Sequence, residues 1–201
     1  MLSISILGIK DNNDKLIELD NLNPDYLHLD IMDGKFVSNT VDMSLLPELV
    51  TSKDIHLMVE DVKAYVDVYK KYNPEYITFH VEVGNTKELI DYIHSLGIKV
   101  GLSIKPGTNL AEIKPYLHMI DLVLVMSVEP GRGGQTFIED SIERVKELSN
   151  IRIDNNYNYK IEIDGGINQD TIKLVPECDL FVVGSYITSS DNFKERISSL
   201  K

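Results

Sequence analysis

Two histidines and two aspartates stand where short apolar runs of this chain carry polar groups. His28 and Asp30 lie two apart in YLHLDIM, His56 lies two before Met58 in DIHLMV, and Asp164 closes YKIEID. Side chains two apart in a strand share a face, so His28 and Asp30 point one way and Leu29 and Ile31 the other. Two imidazoles and two carboxylates form a donor set for one divalent transition metal ion, such as zinc, iron, manganese or cobalt. Taken singly, each histidine also reads as a hydrogen-bonded core residue; the metal reading needs all four at one place. His80, in FHVE, has no evident partner and reads as a supporting or structural histidine.

The elements that must position these residues recur along the chain. LSISIL, YLHLDI, DIHLMV, YITFHV, IKVGLSI, LVLVMSV, YKIEID and DLFVVG are short, apolar and rich in β-formers. Between most of them runs a helical spacing: Val62, Tyr65, Val66 and Tyr69; Leu89, Ile90, Ile93 and Leu96, with Asn85 and Glu88 as a start and Gly97 as a stop; Ile142, Val145 and Leu148; Phe193, Ile197 and Leu200. The first helical segment, DNNDKLIELDNLN, is short and weak. Strands alternating with helices predict parallel βα units, and eight of them suit a closed (β/α)8 TIM barrel, one domain over residues 1–201. The competitor, an open doubly wound sheet, lacks its glycine fingerprint after the first strand.

In such a barrel the chemistry sits at the C-terminal strand ends. The second and seventh strands lie three steps apart in the ring, so Asp30 and Asp164 face each other across the mouth. A flat intermediate between them meets one carboxylate on each face. That suits inversion at a carbon acid, one carboxylate taking a proton and the other returning one; the competing reading makes both aspartates ligands only. Gly131, Gly133 and Gly134 follow the sixth strand, Gly165 and Gly166 the seventh, Gly184 and Ser185 the eighth. Glycines there let backbone amides converge on a phosphate. Met32, Met58 and Met126 fall at the inner rim, as core filler or as an apolar wall over the site, and the first strand offers Ser5.

Composition bounds the partners. Net charge is −12, which argues against nucleic acid and anionic membranes. The one cysteine, Cys178, permits no intrachain disulfide and reads as a buried apolar residue, in keeping with a reducing cytoplasm. The opening MLSISILGIK lacks the basic region and long apolar run of a signal peptide, and no apolar run is long enough to span a bilayer.

LHLDIMDGKFVSN, HLMV, ITFHVE, GLSIKPGT, VLVMSVEPGRGGQTF and EIDGGIN, in this order from Ser5 to Gly184, resemble the ribulose-phosphate 3-epimerase family. The resemblance implies a ribulose-phosphate-binding barrel of the pentose phosphate pathway that epimerises D-ribulose 5-phosphate at C3. It implies metal ligation by His28, Asp30, His56 and Asp164, and an acid–base pair in Asp30 and Asp164. It further implies substrate contacts from Ser5 and His56, a wall of Met32, Met58 and Met126, and phosphate contacts from Gly133, Gly134, Gly165, Gly166, Gly184 and Ser185. Asp33, in MDG, reads as a supporting group, and dimers or larger homo-oligomers are expected. The chain departs from the family at Gly8, Ile9 and Lys10 after the first strand, at Ser38 in FVSN and at Arg132 in PGRGGQ. Arg132 reads either as a solvated loop charge or as a contact to a second anionic group. A phosphorylated hexulose such as allulose 6-phosphate, and a non-catalytic sugar-phosphate sensor, are therefore the alternatives. A Schiff-base aldolase would need Lys105, in SIKPG, at the barrel mouth.

Overall fold

In the computed structural model, which describes residues 1–200, nine strands form one sheet. They are β1 (Leu2–Ser5), β2 (Tyr26–Asp33), β3 (Thr40–Val41), β4 (Lys53–Met58), β5 (Tyr76–His80), β6 (Lys99–Ile104), β7 (Leu122–Met126), β8 (Lys160–Asp164) and β9 (Leu180–Val183). Eight of them run parallel in the order β1, β2, β4, β5, β6, β7, β8, β9, and β9 pairs back on β1. The ring therefore closes, as the alternation of elements predicts. β3 stands outside it, antiparallel to the end of β2, with Met32 opposite Val41. Nothing in the periodicity marks so short a strand.

The period of two sorts each strand into an outer and an inner face. Leu27, Leu29, Ile31, Ile55, Leu57, Ile77, Phe79, Val100, Leu102, Val123, Val125, Ile161 and Ile163 point outward into the core between sheet and helices. Tyr76, Leu122, Leu124, Met126 and Leu180 fill the barrel instead, with Tyr26 against them. Strands covered on both faces read as near-continuous apolar runs, which is why the inward polar residues stood out in the sequence.

The helices are α1 (Asn13–Asp20), α2 (Val62–Tyr69), α3 (Thr86–Ser95), α4 (Asp140–Asn155), α5 (Ser185–Thr188) and α6 (Phe193–Ser198). Asn12, Asp61 and Asn192 cap α1, α2 and α6 by accepting amides three residues on. α3 begins after Asn85 as expected, but Asn85 makes no capping bond: it follows Gly84 in left-handed backbone, with φ of 49°. Single-turn 3-10 segments alone connect β6 to β7 and β8 to β9. The chain thus reaches a closed ring with few residues by trimming helices, while every strand that carries a site residue is kept.

Candidate active site

The register sets the site before any side chain is considered. Ser5 is level with His28, Asp30 with His56, Met32 with Met58, and Met126 with Asp164. Ser5 Oγ donates to Asp30 Oδ2 at 2.7 Å, and Asp30 Oδ1 lies 3.5 Å from both His28 Nε2 and His56 Nδ1. Asp164 Oδ2 lies 4.0 Å from His56 Nδ1. One donor atom from each of His28, Asp30, His56 and Asp164 falls within 4.8 Å of all the others. The four residues singled out from the sequence are therefore brought together.

Their donor atoms fit a cation. His28 Nε2 and His56 Nδ1 are buried and have no hydrogen-bond partner, which is a costly arrangement for two ring nitrogens unless something else takes their lone pairs. Ligand bonds of ~2.1 Å in tetrahedral array place donors roughly 3.4 Å apart, close to the 3.5 Å separations around Asp30. Two imidazole nitrogens and two carboxylates are the donors a borderline divalent metal takes.

Each histidine is held from behind. His28 Nδ1 lies 2.6 Å from Asp54 Oδ2, which also accepts from Ser3 Oγ at 2.7 Å. His56 Nε2 lies 2.9 Å from His80 Nε2, and His80 Nδ1 lies 3.2 Å from Glu82 Oε2. His80 thus has two partners that the sequence did not reveal. Asp54 and Glu162 precede His56 and Asp164 by two, so the same parity that aims the latter inward aims them inward one layer deeper. Glu82 lies just past the end of β5, where parity no longer speaks.

Burial and charge set these groups apart. Burial would lower His28, but the Asp54 and Asp30 carboxylates overcome it and hold the imidazole well above its ordinary value. Burial would raise Asp30, yet His28 and His56 pull it below the usual carboxylate range. Burial raises Asp164 to about 6, reinforced by the Asp30 charge. Burial also raises Glu162 well above the carboxylate range, with Asp54 adding to it, and lowers His80 to about 4 against the pull of Glu82.

Above the four lies a cavity of about 930 Å³, ample for a sugar phosphate. Ser5, Asp30 and Asp164 line it together with Met32, Met58 and Met126, and Gly133, Gly134, Gly165, Gly166, Gly184 and Ser185 border it. His28 and His56 are wholly buried beneath its floor. Gly165 and Gly166 have φ of 126° and 64°, and a Cβ on Gly166 would come within 2.5 Å of the Phe137 amide nitrogen. Only glycine fits that turn.

The other singled-out residues fall as follows. Arg132 is exposed, borders the cavity and forms no ion pair among the described residues. Asp33 accepts from the amides of Lys35, Phe36 and Glu60, tying down the turn after β2. Lys105 Nζ sits 3.8 Å over the Phe36 ring, and the residue is not among those that line the cavity. Cys178 is buried. No helix among the described residues is long and apolar enough to cross a membrane.

A ribulose-phosphate 3-epimerase from Mycobacterium bovis is 37% identical over 185 residues, covering 88% of this chain and 81% of that one. A ribulose-phosphate 3-epimerase, cytoplasmic isoform, from Oryza sativa subsp. japonica is 36% identical, covering 100% and 90%. The crystal structure of 3-hexulose-6-phosphate synthase from Salmonella typhimurium superposes with a TM-score of 0.70 over 99% of this chain and 95% of that one; at 14% identity it shares the fold alone. The model of the ribulose-phosphate 3 epimerase family matches residues 1–188, and the chain belongs to that family.

Proposed function

We propose that this protein reversibly epimerises D-ribulose 5-phosphate at C3, giving D-xylulose 5-phosphate. The observation that carries the reading is the pair Asp30 and Asp164, on strands three steps apart in the ring, at the floor of one cavity and with opposite displacements of their proton affinities. Family membership supplies the reaction class; the site supplies the parts.

One carboxylate removes the C3 proton and the other delivers a proton to the opposite face; the reverse reaction exchanges their roles. Their places on strands three steps apart in the ring suit this division, one carboxylate to each face of the substrate. Ser5 donates to Asp30 Oδ2 and fixes that carboxylate's orientation. Met32, Met58 and Met126 form an apolar wall that keeps water off the carbanionic carbon. Backbone amides around Gly165, Gly166, Gly184 and Ser185, with Gly133 and Gly134 closing from the neighbouring loop, receive the phosphate. His28, Asp30, His56 and Asp164 would hold one divalent ion, which supplies positive charge to offset the enediolate.

The reading extends to a cytoplasmic protein that acts as one domain and forms homo-oligomers. The single buried cysteine and the name of the rice relative support the compartment, and the family resemblance supports the assembly.

Proton NMR of D-ribulose 5-phosphate in D₂O tests the reaction. The expected result is loss of the C3 proton signal with formation of deuterated xylulose 5-phosphate, abolished by a chelator and restored by zinc or iron. No exchange in folded, metal-loaded protein overturns the proposal, and turnover of allulose 6-phosphate in the same assay would then identify a hexulose phosphate as the substrate.

A further inference from the structure

We infer that Glu82, acting through His80, is a positioning residue that sets the ring tautomer of His56 and so leaves His56 Nδ1 bare toward the site. The chain of contacts is short and directional. Glu82 Oε1 accepts from the Lys105 amide at 2.9 Å and from the Thr108 hydroxyl, and Glu82 Oε2 faces His80 Nδ1 at 3.2 Å. A carboxylate accepts and does not donate, so His80 Nδ1 carries the proton of that contact. A neutral imidazole has one N–H, which leaves His80 Nε2 with its lone pair. His80 Nε2 faces His56 Nε2 at 2.9 Å, and one of the two must donate. His56 Nε2 therefore carries the proton, which in a neutral ring leaves His56 Nδ1 bare.

The surroundings of His56 leave that nitrogen to the donor cluster. His56 Nδ1 is buried and has no hydrogen-bond partner, although Asp30 Oδ1 lies 3.5 Å away. With a cation in the cluster, a bare Nδ1 is a lone pair held toward it. The rings support the alignment: His56 and His80 have centroids 5.0 Å apart and planes inclined by 30°, as nitrogens meeting edge to edge require, and Phe36 packs on His80 at 4.7 Å. His80 is wholly buried, so water cannot substitute for either partner. A partner that fixes which ring nitrogen is free is a recurrent means of tuning ligand histidines.

The inference rests on the metal reading of the cluster, but its test does not need a metal. Long-range proton–nitrogen NMR of the metal-free protein reports which nitrogen of each histidine is protonated. In the wild type, His80 is expected protonated at Nδ1 and His56 at Nε2; protonation of His56 at Nδ1 overturns the inference, whatever any variant does. Glu82→Gln preserves shape but reverses polarity. Its carbonyl oxygen stays with the Lys105 amide and Thr108, and its NH₂ turns to His80 Nδ1. His80 Nε2 then donates to His56 Nε2, and His56 carries its proton at Nδ1. Zinc affinity, measured by competition with a chromophoric chelator, is expected to fall about 10- to 100-fold. Thr108→Val, which removes a donor without reversing the chain, is expected to keep the His56 tautomer. A Glu82→Gln protein with unchanged tautomers overturns the inference, even if zinc affinity falls. Wild-type protein with the expected tautomers that binds no zinc upholds the relay and refutes the metal reading.

Discussion

Asp54 Oδ2 sits 2.6 Å from His28 Nδ1, on the side of the ring away from the cavity, and takes a second hydrogen bond from Ser3 Oγ at 2.7 Å. All three side chains are fully buried. The carboxylate accepts the Nδ1 proton and turns Nε2 to the donor cluster. Asparagine at this position can present an N–H to the ring instead, which moves the ring proton to Nε2. Asp54→Asn is therefore expected to weaken zinc binding by about 10- to 100-fold, read by chelator competition. Unchanged affinity would show that Asp54 only fills space beneath the ring.

Asp164 is the direct test of two-base chemistry. Asparagine keeps the shape of the side chain and removes its capacity to take or give a proton at working pH. Asp164→Asn is expected to lower turnover of D-ribulose 5-phosphate by about 10²- to 10⁴-fold, the usual contribution of a positioned acid or base. A variant that folds, binds zinc and keeps near-native turnover would eliminate Asp164 as a proton carrier.

The same residue has a signature in stability that requires no substrate. Burial and the Asp30 charge raise Asp164 from 3.8 to about 6 in the folded chain. A folded value above the unfolded one means that proton binding favours folding. The contribution is complete below about pH 3.8 and is lost as pH rises through about 6. Asp30 runs the other way: its value is lowered, so its contribution is present above the unfolded value and lost on acidification. Comparing Asp164→Asn with the wild type, both metal-free, isolates the first effect. The variant is expected to gain ~2.4 kcal/mol on the wild type between pH 4 and pH 7.5, most of the effect of about two pH units of displacement. Urea melts at the two pH values measure it. Saturating zinc is expected to shrink the gain, since a cation favours the ionised carboxylate. A pH-independent difference would mean that Asp164 titrates normally.

The parts of this molecule that could be read from sequence are those governed by the period of two. His28 with Asp30 and His56 with Met58 announce an inward face because their neighbours Leu29, Ile31, Ile55 and Leu57 are apolar and point outward. Asp54 and Glu162 obey the same parity and were legible in principle, but only the register places them beneath His28 and Asp164. Glu82 and Lys105 lie past strand ends, where the chain turns and spacing loses its meaning. Hence the partner of His80 was missed, and spacing could not settle that Lys105 would lie over Phe36. β3 escaped because two residues carry no periodicity. The four ligand candidates depend on strands alone, whereas the residues that tune them come partly from turns.

Gly166 tests the phosphate end of the site. Its φ of 64° lies in the left-handed region, and an added Cβ would meet the Phe137 nitrogen at 2.5 Å and Cα at 2.9 Å. Both obstacles are backbone, so no side-chain rotation relieves them. The turn after β8 must shift, and with it the amides of Gly165 and Gly166 at the cavity edge. The four donor residues are held by their own strands and by partners in the barrel interior, so the proton-transfer groups keep their places. Gly166→Ala is therefore expected to act mainly on binding, with KM for D-ribulose 5-phosphate raised about 10-fold or more, equivalent to at least ~1.4 kcal/mol, and kcat changed much less. Backbone strain of ~1–3 kcal/mol is expected to appear as a lower Tm of the metal-loaded protein. Inorganic phosphate separates the two effects: it should raise the Tm of the wild type and fail to raise that of the variant. Equal stabilisation of both proteins by phosphate would place the anion elsewhere and remove the turn after β8 from the substrate site.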